Sequence, residues 1–126
     1  MSEKPEDEIS YAIRGAAFKV YNELGPGLLE SVYEAAMAYL LTKGNHKVRT
    51  QVAIPVIFQE IKLDLGFRLD ILVDELVITE IKSVESLLRV HHKQLLTHLR
   101  LADKKLGLLI NFNEDPLKIV RIVNGL

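Results

Sequence analysis

Along the first third of the chain apolar residues recur every three or four positions, and from about Val48 they alternate singly, so helices are expected to give way to strands there. Between about Ile9 and Leu24, the residues Ile13, Ala16, Ala17, Val20 and Leu24 fall on one helical stripe, which Gly25-Pro26-Gly27 then ends. Residues 1–8 read as a flexible N-terminus, which leaves 9–126 as a single domain. A second helix is expected from about Leu28 to Lys43, with Val32, Ala35, Ala36, Tyr39 and Leu40 turned inward and Gly44-Asn45 as its exit.

Three strands follow, from about Val48 to Phe58, Lys62 to Val73 and Leu76 to Lys82, and their economical arrangement is a meander. Pro55 puts the first of them at or near a sheet edge, because proline cannot donate to a ladder. A third helix, about Ser86 to Ala102, carries Leu88, Leu95, Leu99 and Ala102 on one stripe. Lys105 to Phe112 reads as another strand, Asn113-Glu114-Asp115-Pro116 as a turn, and Leu117 to Val123 as the strand that closes the sheet. This order gives an α+β fold, an α/β sandwich built on a mixed sheet.

With 126 residues and 48% hydrophobic content the chain supports one ordinary core. It has no cysteine, which excludes disulfides and thiolate metal sites, and no signal-like leader, so a cytoplasmic protein is expected. Its apolar runs are far shorter than the roughly 20 residues a membrane span needs, so no membrane partner is expected. A net charge of -1 argues against generic, charge-driven nucleic-acid binding. Locally, however, Arg89, Lys93, Arg100, Lys104 and Lys105 gather with His91, His92 and His98 against one acid, Asp103.

Charges set among apolar strand residues need an explanation, because a buried ion must be paired, bind a metal or lose its charge. Asp70 and Glu80 lie in such segments, and Lys82, two residues beyond Glu80, projects from the same strand face. Two or three carboxylates suffice for Mg2+ or Mn2+, which polarises a phosphoryl oxygen and acidifies water, while a nearby ammonium stabilises the charge of the transition state. In isolation this pattern is more often an exposed cross-strand pair beside a turn cap; the apolar flanks shift the weight to a buried site. Sharing one cation requires Asp70 opposite Glu80 and Leu72 opposite Ile78, hence a three-residue connection, Asp74-Glu75-Leu76. Crowded carboxylates should also raise at least one pKa in the metal-free protein. The adjacent His91 and His92 point about 100° apart on a helix and do not chelate one ion. His92 falls on the apolar stripe as a core or boundary residue, whereas His91, Gln94 and His98 share another face.

Gly27-Leu28-Leu29-Glu30-Ser31-Val32-Tyr33, Gly66-Phe67-Arg68-Leu69-Asp70, Glu80-Ile81-Lys82-Ser83 and Leu108-Leu109-Ile110-Asn111-Phe112 together resemble the GxxExxY proteins, placed in the PD-(D/E)xK nuclease superfamily. The resemblance runs from about Ile9 to Leu126. It implies a restriction-endonuclease-like core with Asp70, Glu80 and Lys82 as the catalytic motif and Glu30 as an additional acid. It also picks out Gln94, although His98 stands where a Q-x-x-x-Y element has tyrosine. His98 and Arg68 become candidate phosphate contacts, with Arg68 equally the partner of a nearby acid. Tyr33 is either a stacking surface for substrate or a helix-packing aromatic.

The expected function is metal-dependent hydrolysis of DNA, with Asp70, Glu80 and Glu30 holding Mg2+ or Mn2+ and nucleic acid as the partner; a homodimer is compatible with this. A catalytically silent nuclease-fold module for nucleic-acid or protein binding is the alternative. A two-carboxylate glycosidase is disfavoured by the 6% aromatic content and the absence of tryptophan, which leave little to stack on a sugar.

Overall fold

The computed structural model describes residues 4–126, apart from the side chains of residues 64 and 65. The chain runs α1 (Pro5–Leu24), α2 (Glu30–Lys43), β1 (Val48–Phe58), β2 (Ile61–Val73), β3 (Val77–Lys82), α3 (Arg89–Ala102), β4 (Leu106–Asn111) and β5 (Lys118–Val123). All five strands lie in chain order in one sheet. The first three form the expected antiparallel meander, β4 pairs parallel to β3, and β5 returns antiparallel to β4. A parallel neighbour needs a crossover, and α3 supplies it.

The expected frayed segment, 1–8, lies partly outside the described residues; in the remainder, α1 begins at Pro5 rather than near Ile9. Proline suits the first helical position because its missing N–H would be unpaired there, and Glu6, Asp7 and Glu8 meet the positive end of the helix dipole.

Helices cover both faces of the sheet. Ile9, Ile13, Ala17 and Val20 of α1 and Tyr33, Met37 and Leu41 of α2 pack on Ile71, Val73, Val77, Ile81, Leu108 and Ile110. Leu95 and Leu99 of α3 pack on Val52, Leu69, Leu72, Ile78 and Leu109 from the other side. Every residue of β4 is buried, which accounts for its unbroken apolar run. Gly107 belongs to this contact: a Cβ there would stand 3.0 Å from the Leu95 side chain, so glycine lets α3 approach the sheet.

The inward face of α2 differs from the expected one. Val32 and Tyr39 are 41% and 65% exposed, and Tyr33, Met37 and Leu41 are buried instead. Apolar residues encircle this helix, so periodicity does not single out a stripe; the row i, i+4, i+8 that places Tyr33 against Phe112 is the one that packs. Those two rings stack in parallel with centroids 4.4 Å apart. At the fringes, Leu24 and Leu88 of the expected stripes are also exposed.

Leu72 pairs with Ile78 and Val73 with Val77, which gives the three-residue connection required by the face argument. Asp74 and Glu75 take positive φ (53° and 58°) as the Leu76 N–H donates to the Val73 carbonyl. The Asp74 carboxylate then accepts the Lys47 N–H at 2.8 Å and contacts His46 Nδ1 at 2.6 Å, tying this turn to the exit of α2.

Candidate functional site

The ladder between β2 and β3 is paired as far as Ile71 opposite Thr79 and then opens. In the opening the Glu80 carboxylate accepts the Asp70 N–H at 3.1 Å, and the Asp70 carboxylate accepts the Ile81 N–H at 2.8 Å. Two acidic side chains thus occupy a fork between strands and satisfy backbone donors that carbonyls would otherwise take.

The sheet faces change over at the same level. Leu69 and Ile71 would share a face on a regular strand, yet Leu69 joins the α3-side core and Ile71 the core under α1 and α2. On β1, Val48 and Val52 divide in the same way. Gln51, between the pairs Thr50–Ile71 and Val52–Leu69, has a φ of 52° and marks the distortion. Asp70 therefore sits where the strands turn over rather than inside either core.

The start of α2 closes one side of the site. Glu30 accepts the Ser83 N–H at 3.2 Å, and the Ser83 hydroxyl donates to the Leu28 carbonyl at 2.7 Å, which latches the helix to the end of β3 just after Lys82. Glu34, one turn on, accepts from the Gln51 amide at 2.8 Å. Glu30, Ser31, Glu34, Gln51 and Asp70 line a pocket of about 420 Å3. Glu34 was not singled out by sequence; the available signal was its spacing of four from Glu30.

Burial first, and then the negative fields of Glu80 and Glu34, push the Asp70 pKa up to about 6, while the Ile81 N–H and Lys82 pull the other way. Burial thus raises Asp70 more than the crowding of carboxylates does. Lys82 stands half-buried on β3, two residues from Glu80, close enough for its charge to be felt at Asp70.

The second Glu80 oxygen lies 3.2 Å from His98 Nδ1, both side chains being nearly buried. His98 is therefore the partner of Glu80 rather than a solvent-facing phosphate contact, because its position on α3 turns it inward beside Leu95 and Leu99. Tyr33 is fully buried against Phe112, which removes it as a surface for substrate. Its hydroxyl accepts the Leu28 N–H, so it shapes the loop before Glu30. Arg68 is exposed and donates to the Gln51 carbonyl at 3.3 Å. Gln94 is exposed beside His98, and both line a smaller pocket with Phe67, Val90, Lys93 and Thr97.

His91 and His92 serve the start of α3: His91 Nδ1 accepts the Leu88 N–H at 2.9 Å, and His92 Nδ1 lies 3.1 Å from the Leu88 carbonyl. Asn111, fully buried, exchanges bonds with both backbone groups of Val84 and donates to Glu114, clamping β4 to the loop that follows Lys82.

Hard oxygen donors dominate the fork and its pocket, and Asp70, its pKa raised by burial first and by Glu80 second, lies among them. Both features suit a divalent cation that keeps several waters. Among the described residues, no three acidic, histidine or cysteine side chains already converge as a complete ligand set.

A family model described as the PD-(D/E)XK nuclease superfamily matches residues 7–122. This chain belongs to that superfamily. The mixed sheet flanked by helices is the restriction-endonuclease-like architecture expected of a PD-(D/E)XK protein. No curated protein and no solved structure matches the chain significantly. Among the described residues, no helix of this PD-(D/E)XK protein is long and apolar enough to cross a membrane.

Proposed function

We propose that this protein is a nuclease of the GxxExxY type, one domain from α1 to β5, that hydrolyses DNA phosphodiester bonds with Mg2+ or Mn2+. The observation that carries this reading is the fork, which gathers Asp70 and Glu80 at the mouth of two strands with Lys82 on the same strand as Glu80. Asp70 and Glu80 are the inner ligands, and Glu30, with Glu34 behind it, completes the acidic wall. Asp70 and Glu80 would hold the cation, which would supply polarisation of the scissile phosphoryl group and a more acidic water. Lys82 either stabilises the charge that spreads over the phosphoryl oxygens or orients the attacking water. His98 fixes the Glu80 carboxylate, Arg68 contacts the phosphate backbone, and Gln94 approaches the strand from α3.

The deciding assay incubates linear, circular and single-stranded DNA, and RNA, with and without Mn2+, comparing wild type with Lys82→Ala. Metal-dependent cutting of DNA that is lost in the variant is expected. Equal cutting by both proteins would trace the activity to a contaminant. A catalytically silent module is favoured by one observation: both Glu80 oxygens are already engaged, by the Asp70 N–H and by His98. Metal-independent binding without cutting would select that reading.

A further inference from the structure

We propose that the pocket beside the Glu80–His98 pair receives one unpaired nucleobase, so that the protein engages its nucleic acid at a strand end, gap or single-stranded stretch; this rests on the nuclease reading above. The pocket measures about 190 Å3 and is lined by Phe67, Val90, Lys93, Gln94, Thr97 and His98. That is below the roughly 300 Å3 at which pockets begin to enclose drug-sized ligands, and it suits a single ring system.

Its walls match a base in kind as well as in size. Phe67 is an aromatic ring left 41% exposed only three residues before Asp70, and Val90 is half exposed in the first turn of α3. The Phe67 ring leans on His98 with centroids 4.8 Å apart, and His98 is 3.2 Å from Glu80, so two side-chain contacts link the pocket to the fork. Gln94 offers an amide donor and acceptor for a base edge, and Lys93 an ammonium for the adjoining phosphate. A base inside a duplex is stacked on both faces and cannot enter; an unpaired one stacks on an aromatic ring regardless of its identity. Continuity with the acidic fork and the Lys93 charge favour a nucleic-acid strand over a peptide side chain.

The test titrates short single-stranded DNA whose only base is one 2-aminopurine, every other position being abasic, with protein in a Lys82→Ala background, so that the strand stays intact. Quenching of the probe is expected, and Phe67→Leu should remove the quench and weaken binding about 5- to 150-fold, the range of about 1–3 kcal/mol for stacking one base on an aromatic ring. An abasic site in place of the probe should weaken the parent protein equally and leave the Phe67→Leu protein unaffected. Thr97→Phe, which fills the pocket from an exposed position on α3, should act like Phe67→Leu and covers the case in which that variant unfolds. The same strand as RNA distinguishes the two chemistries of backbone, and a blunt duplex probe, already quenched by its stacked neighbours, should show no change when protein is added. If wild type cuts DNA while abasic strands bind the Lys82→Ala protein as tightly as intact ones, the base pocket falls and the nuclease reading stands. If no strand is ever cut but the Phe67-dependent quench persists, the catalytic reading falls and the base pocket stands. Failure to bind any single strand overturns the pocket.

Discussion

Replacing Asp70 by asparagine should stabilise the metal-free protein at neutral pH. The ordinary carboxyl pKa of 3.8 rises to about 6 in the fold, chiefly through burial and then through Glu80. Because the folded value exceeds the unfolded one, the folded state holds its proton more tightly; this contribution is fully present below pH 3.8 and is lost as pH rises through about 6. Two pKa units correspond to about 3 kcal/mol, and partial solvent access to this half-buried group reduces that to about 2 kcal/mol. Asparagine removes the charge yet keeps an oxygen for the Ile81 N–H, so the expected gain is about 2 kcal/mol, or roughly 5–10 °C in Tm. Thermal and urea melts in EDTA at pH about 7.5 and about 3.5 measure it. The variant should be the more stable at the higher pH and indistinguishable at the lower. An Asp70→Asn protein less stable than wild type by the same margin at both values would refute the electrostatic account and make Asp70 an ordinary structural residue.

Mn2+ at 100 times its Kd should stabilise wild type by about 2.7 kcal/mol, and calorimetry should find this gain absent in Glu80→Gln. His98→Phe keeps a ring against Phe67 but releases Glu80, so Mn2+ affinity measured by titration should change while the Tm moves little; unchanged affinity would make His98 merely a core residue. Gly107→Ala should cost about 1–3 kcal/mol in urea denaturation, because the new methyl group meets Leu95 at 3.0 Å in a packed interface. Despite slight burial, hydrogen bonds from His46 and the Lys47 N–H hold the Asp74 pKa below its ordinary value, so its contribution is present above that value and is lost as pH falls through the depressed one. Asp74→Ala should therefore cost about 1–2 kcal/mol at neutral pH and progressively less in acid, as followed by denaturation across pH.

Much of this architecture was legible because strands and helices with a single buried face announce themselves by period. The turn at Asp74-Glu75-Leu76 followed from demanding that Asp70 and Glu80 share a face, since a slip of one residue would separate them. The inward face of α2 was not legible: a helix apolar all round carries no directional signal, and only the position of Phe112, 79 residues beyond Tyr33, decides which row turns in. The pairing of Glu80 with His98 was hidden for a related reason, because it joins a strand to the buried side of a crossover helix whose rotation the sequence leaves open. The backbone distortion at Gln51 has no sequence signature at all, since glutamine is not a residue that announces positive φ.

The two carboxylates in the opening of β2 and β3 act as substitute carbonyls for Asp70 and Ile81, and this makes the backbone itself a reporter of occupancy. A cation that draws these oxygens toward itself weakens their hold on the amides. Amide exchange at Asp70 and Ile81 should then quicken as metal is added, while the rest of the sheet slows with rising global stability. Loading the site would thus loosen the chain at two peptide groups and tighten it everywhere else, an inverted pattern that a cation adsorbed on surface acids would not produce.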